Sequence, residues 1–332
     1  MDPTFQQAKA KRRIPKQPPS GVLTPFQQDL AKNPYALALS TPMRRCRLTD
    51  VNVPKYFLQD YKILSHPITG VPYFLPASLS RKHTKEKTEE RPKMIEGITS
   101  YTLNYRKALS SMQNPTGGYF TSRSGSNKRA HHRLVPQGLR DVKPAMKMVM
   151  ASRWRPDMED FVLELMRRRC VEHLVDLASL KRGYLVGCAD WEDAASKPSV
   201  AAFLWTGGIG DEPINPPTDF ATLDLGMEGG LKGGEKKKRR KVPVYNLRNI
   251  IGEEKLIELR NVGSGIFGRD VVALKHKKMT VELQMQLWKL QGYMADYEKL
   301  LQTWDGGEDL GDEVFEEHLG NDDEKDEHEE DW

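Results

Sequence analysis

Apolar residues recur with a helical period in two long stretches of the chain. In residues 157–180 they stand mostly three or four positions apart. Pro156 and the acids at 157, 159 and 160 suit the start of a helix, and Gly183 suits its end. Residues 157–180 are therefore predicted to form a helix. A second amphipathic helix is predicted over residues 280–304, and its apolar stripe should dock on the domain or bind a partner helix.

Between these helices the apolar residues occur in short runs of strand length. Three such runs lie at residues 184–189, 200–205 and 242–247, and a helical pattern follows at 250–260. The first two runs are separated by a polar, turn-like stretch and can pair as a hairpin. The order helix, strand, strand, strand, helix predicts an α+β fold, with a small antiparallel or mixed sheet flanked by helices.

The segment 33–79 is the first part of the chain that is apolar enough to bury itself. Residues 53–58 and 61–64 are typical of a short helix or a pair of strands, and the turn-forming stretch 66–70 precedes a second aromatic run at 73–75. Its aromatic side chains are more typical of a core than of a platform for stacked bases.

The composition divides the chain into five regions. We expect a disordered basic segment at 1–32, an aromatic and basic region at 33–112, and a loop or linker at 113–150. An α+β domain follows at 151–304, interrupted by a disordered insertion at 211–241 that is rich in Gly and Pro. The last region, 305–332, should be an acidic disordered tail.

The net charge of +5 conceals a strong polarity along the chain. Residues 1–182 hold 33 Lys and Arg against 15 Asp and Glu, a net +18, whereas the remainder holds 18 against 31, a net −13. The last 28 residues alone carry 15 acids and one lysine. A basic body indicates a polyanionic partner, and the acidic tail would be an intramolecular competitor for the same surface.

Three clusters of cations are the predicted phosphate contacts. The first cluster is Arg44, Arg45 and Arg47. The closest acids in the sequence are Asp29 and Asp50, so these arginines cannot all form ion pairs with nearby carboxylates. A phosphate-binding surface and a solvated basic loop are the two interpretations. The third cluster, residues 236–241, also has the form of a nuclear import sequence, and the local sequence does not distinguish nuclear import from phosphate binding. The predicted contacts are Arg44, Arg45, Arg47, Arg167, Arg168, Arg169, Lys236, Lys237, Lys238, Arg239, Arg240 and Lys241.

The cysteines and the hydropathy of the chain bear on its cellular compartment. Cys46, Cys170 and Cys188 are far apart and lack CxxC spacing, which argues against a disulfide framework or a structural zinc and favours a reducing compartment. No run of about 18 apolar residues is present, so no membrane span is expected. The first residues are basic and poor in acids, as in mitochondrial presequences, although Pro15, Pro18 and Pro19 would interrupt an amphipathic helix there.

Two motifs resemble catalytic machinery. Residues 263–268 match GxGxxG, but they follow a predicted helix rather than a strand, and neither HRD nor DFG occurs, so a flexible turn is the better interpretation. Asp190, Glu192 and Asp193 could hold Mg²⁺, yet no second acidic cluster completes such a site and a solvated loop is favoured. We expect no catalytic residue, no metal and no cofactor; an α/β enzyme using Asp190 and the Gly263 loop is the alternative.

With these segments placed, the chain resembles the fungal mitochondrial family called required for respiratory growth protein 8. The resemblance rests on short blocks in the same order. They are residues 33–44 (NPYALALSTPMR), 99–104 (TSYTLN), 157–180, 185–190 (LVGCAD), 203–208 (FLWTGG), 243–252 (PVYNLRNIIG) and 256–260 (LIELR).

The resemblance implies a protein of the mitochondrial matrix that is needed for respiration and for maintenance and expression of the mitochondrial genome. Such a role would be served by mitochondrial RNA processing, for example tRNA 5′ maturation, with mitochondrial RNA or a ribonucleoprotein as partner and no catalytic residues carried over. Two alternatives stay open. One is a mitochondrial ribosomal subunit or assembly factor, and the other is a nuclear nucleic-acid-binding protein imported through residues 236–241.

Overall fold

A computed structural model describes residue 4 and residues 23–66, 68–80, 99–112, 134–135, 142–207, 216–227, 239–262 and 265–298. Residues 1–294 belong to one compact unit, and residues 295–332 belong to a second, of which only 295–298 are described. The region predicted at 33–112 and residues 151–294 of the domain predicted at 151–304 thus share one compact unit. Among the described residues, no helix combines the length and apolar composition needed to cross a membrane.

The unit begins with two short helices and a two-stranded ribbon. Helix α1 (Pro25–Leu30) starts at a capping box between Thr24 and Gln27, and α2 (Pro34–Leu39) starts where the Asn33 side chain accepts the backbone N–H of Tyr35 and Ala36. Strands β1 (Met43–Arg45) and β2 (Asn52–Pro54) then pair antiparallel. The helix α1 corrects the prediction that all of residues 1–32 are disordered.

A three-stranded antiparallel sheet follows, in the order β4–β3–β5. A 3₁₀ turn (Lys55–Phe57) leads into β3 (Leu58–Ser65), which pairs with β4 (Pro72–Pro76) on one side and β5 (Thr99–Leu103) on the other. Tyr61 and Ile63, two positions apart on β3, are both buried, as the two-residue period of a strand requires. In the aromatic run at 73–75, Phe74 is buried in the core, as expected, whereas Tyr73 and Leu75 are partly exposed.

The segment 113–150, predicted as a loop, contains helical and buried structure. Beyond α3 (Arg106–Ser110), helix α4 (Lys143–Ala151) begins within it, and Leu134 and Val135 are buried. Arg153, just after α4, forms an isolated parallel bridge with Tyr73. The sequence prediction missed α4, a helix of nine residues, because the Gly- and Ser-rich stretch before it led the whole of 113–150 to be predicted as a loop.

The long helix predicted over 157–180 is α5 (Met158–Ser179), with Asp157 at its N-cap and Glu159 and Asp160 in its first turn. The predicted C-terminal helix is α9 (Val281–Met294), preceded by a 3₁₀ turn (Lys278–Thr280). The apolar face of α9 is buried within the unit, and the Tyr293 hydroxyl donates to Glu159 O of α5 at 2.9 Å. Of the two predicted roles of this helix, docking on the domain and binding a partner helix, the structure shows docking on the domain.

The second sheet is mixed and has the strand order β6–β10–β7–β9–β8. Its strands are β6 (Leu185–Cys188), β7 (Val200–Trp205), β8 (Thr222–Met227), β9 (Arg239–Asn246) and β10 (Val271–Lys275). Only β7 and β9 run parallel. This mixed sheet with flanking helices confirms the predicted α+β class.

The predicted hairpin between β6 and β7 is wrong, because β10 lies between them and pairs with both. The intervening stretch, predicted to be turn-like, contains α6 (Trp191–Ser196). The insertion predicted as disordered over 211–241 contributes β8 and the first residues of β9. The predicted helix 250–260 is two helices, α7 (Leu247–Ile251) and α8 (Glu253–Val262), interrupted at Gly252, whose φ of +87° favours glycine.

Both faces of the mixed sheet are buried, which explains why its central strands are almost continuously apolar. Leu204 and Val272 face the main core, whereas Phe203 and Val271 face a smaller cluster that includes Ala194 of α6. The main core also takes buried residues from the three-stranded sheet and from α5 and α9. A 3₁₀ turn (Ile266–Gly268) after α8 leads into β10, so Gly265–Gly268 is a turn, as the sequence predicted.

Candidate functional site

The first predicted cation cluster is only partly available to a ligand. Arg44 and Arg45 are exposed on β1, and Arg45 Nε donates to Asp50 Oδ1 at 3.0 Å. Arg47 is 9% exposed, and its backbone N–H donates to Tyr101 O. The chain turns inward after β1 and buries this side chain, which leaves little of Arg47 for the predicted phosphate contact.

Arg167, predicted as a phosphate contact, instead caps a helix. Its Nε donates to Ile250 O at 3.0 Å and its Nη2 to Asn249 O at 3.3 Å, the carbonyls at the end of α7. The guanidinium also lies against Gly252, where an added Cβ would approach Nη1 to 3.3 Å. A cation at this point satisfies carbonyls that lack helical partners and suits the negative end of the helix dipole.

Arg168 and Arg169 tie α5 to the turn that follows β4. Arg168 Nη2 donates to Leu79 O at 3.4 Å, and Arg169 Nη1 donates to Ser78 O at 2.9 Å. Arg168 also lies 3.5 Å from Glu172, one helical turn on. Both side chains are partly buried, so their main observed role is to join two parts of the core rather than to form an exposed basic patch.

The third cluster divides at the start of β9. Lys236, Lys237 and Lys238 lie outside the described residues, whereas Arg239, Arg240 and Lys241 are in β9. Lys241 is exposed and stands opposite Asp224 of β8 in the strand register. The backbone of the second half of the run is thus paired with β8, which limits its use as an extended import signal.

A smaller basic surface remains, which we call the ribbon patch and define as Arg44, Arg45 and Lys55. Lys55 is exposed directly after β2, and its backbone N–H donates to Pro42 O at 3.0 Å, beside β1. Neither Arg44 nor Lys55 has a carboxylate within 4.0 Å among the described residues. The Arg45–Asp50 pair is exposed, and such pairs contribute only about 0–1 kcal/mol, so a phosphate can compete for Arg45.

An aromatic cluster lies close to the ribbon patch. The Tyr56 ring, next to Lys55, is 5.2 Å from the Trp288 ring of α9, and the Tyr35 ring of α2 is 4.8 Å from Trp288. Tyr35 is 42% exposed. An exposed aromatic ring near uncompensated cations is the combination that single-stranded nucleic acids use for stacking and backbone contact.

The acids at 190–193 have a structural role. Asp190 Oδ1 accepts the backbone N–H of Asp193 at 2.7 Å and so caps α6, while Asp193 accepts the Lys197 ammonium at 2.6 Å. The hydrogen bond from Lys197 lowers the pKa of Asp193. These contacts explain the cluster without a metal ion, and they replace the predicted solvated loop with a capped helix.

The structure also contains a cavity of about 310 Å³ that the sequence did not indicate. It lies where the 3₁₀ turn after β2, strand β3 and the turn after β4 meet α5 and α9. Apolar walls come from Leu58, Leu79, Met166 and Cys170, all buried. Exposed Lys55 stands at its rim.

Lys289 brings a cation into this cavity. Its ammonium donates to Leu58 O at 2.8 Å and lies 6.0 Å from the centre of the Tyr56 ring. Burial lowers the pKa of Lys289 to about 8, and the charges of Arg169 and Lys55 act in the same direction, whereas Asp60 opposes them. Lys289 thus remains mostly protonated at neutral pH.

The Cys170 thiol in the cavity wall is not poised for nucleophilic chemistry. Burial raises its pKa to about 12, and the reactive species of cysteine is the thiolate. All three cysteines are buried and free, in agreement with the prediction that they form no disulfide framework.

Sequence reasoning missed Lys289 because the helical pattern places it on the polar side of the predicted helix. Lys289 stands seven residues, or about two turns, after Glu282, and away from the stripe that contains Leu287 and Leu290. Asp60, which also lines the cavity, carried no signal either, because its position follows from strand pairing.

Comparison of the chain with protein-family models, with curated proteins and with solved structures finds no match. The functional argument therefore depends on the residues themselves.

Proposed function

We propose that this protein is a non-catalytic, RNA-associated factor that contacts the phosphate backbone through the ribbon patch. The observation that carries the proposal is that Arg44 and Arg45 on β1 and Lys55 directly after β2 are all exposed, and that Asp50 is the one carboxylate paired with them among the described residues. Cations in such a surface supply salt-dependent affinity for polyanions with little base specificity.

The charge of the whole chain supports the same proposal. Residues 1–182 carry a net +18, and the ribbon patch lies within them. Arg167, Arg168 and Arg169 contribute to this charge but donate to backbone carbonyls, so the proposal does not depend on them. Residues 236–241 are a second basic segment in the sequence, and its last residue, Lys241, is exposed on β9, next to the edge strand β8.

The cellular role that we propose follows the resemblance to the respiratory-growth family. The protein would act in the mitochondrial matrix in maintenance and expression of the mitochondrial genome, through binding or processing of mitochondrial RNA such as tRNA precursors. A protein partner of segment 280–304 would meet the solvent-facing side of α9, where Glu282 is exposed, because the apolar side is buried.

The proposal predicts that tagged protein, purified from its native cells after crosslinking, is recovered in the mitochondrial fraction together with mitochondrial transcripts or tRNA precursors. A variant with Arg44→Gln and Arg45→Gln should recover several-fold less RNA. Mitochondrial ribosomal RNA in stoichiometric amounts, with co-sedimentation on ribosomes, would instead assign the protein to the ribosome. Recovery in nuclei without mitochondrial RNA would overturn the mitochondrial role and favour import through residues 236–241.

A further inference from the structure

The cavity beside Lys55 has hydrogen-bond donors that no acceptor of the described residues engages. Arg169 Nη1 donates to Ser78 O, but its Nε is buried and has no hydrogen-bond partner among the described residues. The Lys289 ammonium has three N–H donors, and Leu58 O is its one hydrogen-bond acceptor among the described residues. A buried donor that gains an acceptor avoids a cost of about 1–3 kcal/mol, so an anion with acceptor oxygens would be stabilised beside these groups.

The charges that line the cavity also do not balance. Lys55, Arg169 and Lys289 are cations, and Asp60 is the one carboxylate among the lining residues. Asp60 Oδ1 already accepts hydrogen bonds from the Ser78 hydroxyl and from Gln59 Nε2. No carboxylate of the described residues lies within 4.0 Å of Lys289 Nζ. The lining therefore has an excess of two positive charges.

The volume of the cavity and the polarity of its lining indicate which class of ligand fits. A volume of about 310 Å³ is at the lower end of the range of about 300–1,000 Å³ that is usual for small-molecule sites. It exceeds what one inorganic anion fills, and the walls formed by Leu58, Leu79 and Met166 are apolar. The cavity thus suits a dianionic group attached to a small apolar or aromatic body.

We propose that this cavity binds a phosphate monoester, with the phosphate group held by Lys55, Arg169 and Lys289 and its organic body against the apolar wall. A phosphate monoester near neutral pH carries close to two negative charges and offers three acceptor oxygens. It would neutralise the excess charge and accept hydrogen bonds from Arg169 Nε and the free donors of Lys289. This site goes beyond the proposed RNA contact, since only Lys55 belongs to both.

The test is calorimetric titration of the full chain at pH 7 with phenyl phosphate, phenol and inorganic phosphate. Phenyl phosphate should bind at least about tenfold more tightly than phenol or inorganic phosphate, because phenol lacks the charged phosphate group and inorganic phosphate lacks the aromatic ring. A 5′-phosphorylated oligoribonucleotide compared with its 5′-hydroxyl form distinguishes the end of an RNA from a free small ester as the source of the phosphate.

Variants test the assignment of the phosphate group. Lys289→Met should weaken phenyl phosphate binding by at least about tenfold, and Lys289→Arg should restore part of it. Lys55→Gln, at an exposed position that does not endanger folding, should weaken binding about three- to tenfold. Arg182→Gln, a matched loss of one exposed cation on another surface, should change nothing.

The proposal is overturned if phenyl phosphate and phenol bind with equal affinity, or if neither binds at millimolar concentration. It is equally overturned if wild-type protein and the folded Lys55→Gln variant bind phenyl phosphate alike. Thermal unfolding of each variant, with and without phenyl phosphate, identifies any loss of binding that is due to loss of the fold, since a bound ligand raises the unfolding temperature.

Discussion

Replacing Arg167 by alanine is expected to lower the free energy of unfolding by about 1.5–3 kcal/mol, the usual range for hydrogen bonds to a charged group. The substitution removes the donors to Ile250 O and Asn249 O and leaves the carbonyl end of α7 without its cation. Urea unfolding monitored by circular dichroism gives this quantity directly. The affinity for single-stranded RNA should stay within twofold of wild type.

The matched control for this substitution is Arg182→Ala. Arg182 is exposed, and no contact of its side chain is observed, so its loss should change stability by less than about 0.5 kcal/mol. If Arg167→Ala unfolds like wild type yet binds RNA much more weakly, the cap is unimportant and the original interpretation of this arginine as a phosphate contact is correct.

The second large effect concerns the dependence of stability on pH. The pKa of Lys289 is about 8 in the folded protein and about 10.5 in the unfolded chain. Below pH 8 both states are protonated and the fold carries the full cost of a buried ammonium. Between pH 8 and 10.5 the folded state releases its proton first, so Lys289 makes stability rise with pH. The gain is up to about 3 kcal/mol, because one pKa unit corresponds to about 1.4 kcal/mol.

Comparison of wild type with Lys289→Met isolates this effect, since all other titrating groups are common to both proteins. Methionine approximates the aliphatic part of the lysine side chain but removes the ammonium and its hydrogen bond to Leu58 O, which adds an offset that does not vary with pH. The stability of wild type relative to the variant should increase between pH 7.5 and pH 10 in urea unfolding. Parallel pH profiles of the two proteins would show that Lys289 does not titrate in this window.

The two long helices were predictable because their pattern is local. The predicted stretch 157–180 corresponds to α5 (Met158–Ser179), and the predicted start at residue 280 lies within one residue of the start of α9 (Val281–Met294). The ends of the helices were predicted less well. Helix α9 ends at Met294, and residues 299–304 of the predicted helix lie outside the described residues. Helical period indicates a buried face well and a helix end poorly.

The arrangement of the mixed sheet was not predictable in the same way. The runs that form β6 and β7 were recognised, but the strand that separates them, β10, lies about 70 residues further along the chain. No strand was predicted at Val271–Lys275. Strand order depends on such non-local pairing, which no local pattern reveals.

The limited exposure of several predicted cations has a simple physical cause. Successive residues of a helix are rotated by about 100°, so three consecutive arginines cannot share one solvent-facing side. Met166 and Cys170, which flank them, are both buried, and the arginines accordingly reach carbonyl oxygens on either side of α5. Arg47 was selected for its charge, whereas its burial could not be predicted from the local sequence. A count of cations therefore overestimated the phosphate-binding surface.

The most direct test of the account is the salt dependence of RNA binding, measured by fluorescence anisotropy with a single-stranded RNA of mixed sequence. Wild-type affinity should fall steeply as salt rises, and Arg44→Gln with Arg45→Gln should reduce the slope of log K against log salt by about 1.4, since each phosphate contact on a single strand contributes about 0.7. The control, Lys181→Gln with Arg182→Gln, removes two exposed cations at another surface and should keep the wild-type slope. A wild-type affinity that does not vary with salt, or equal slopes for all three proteins, would contradict the ribbon patch as the RNA contact.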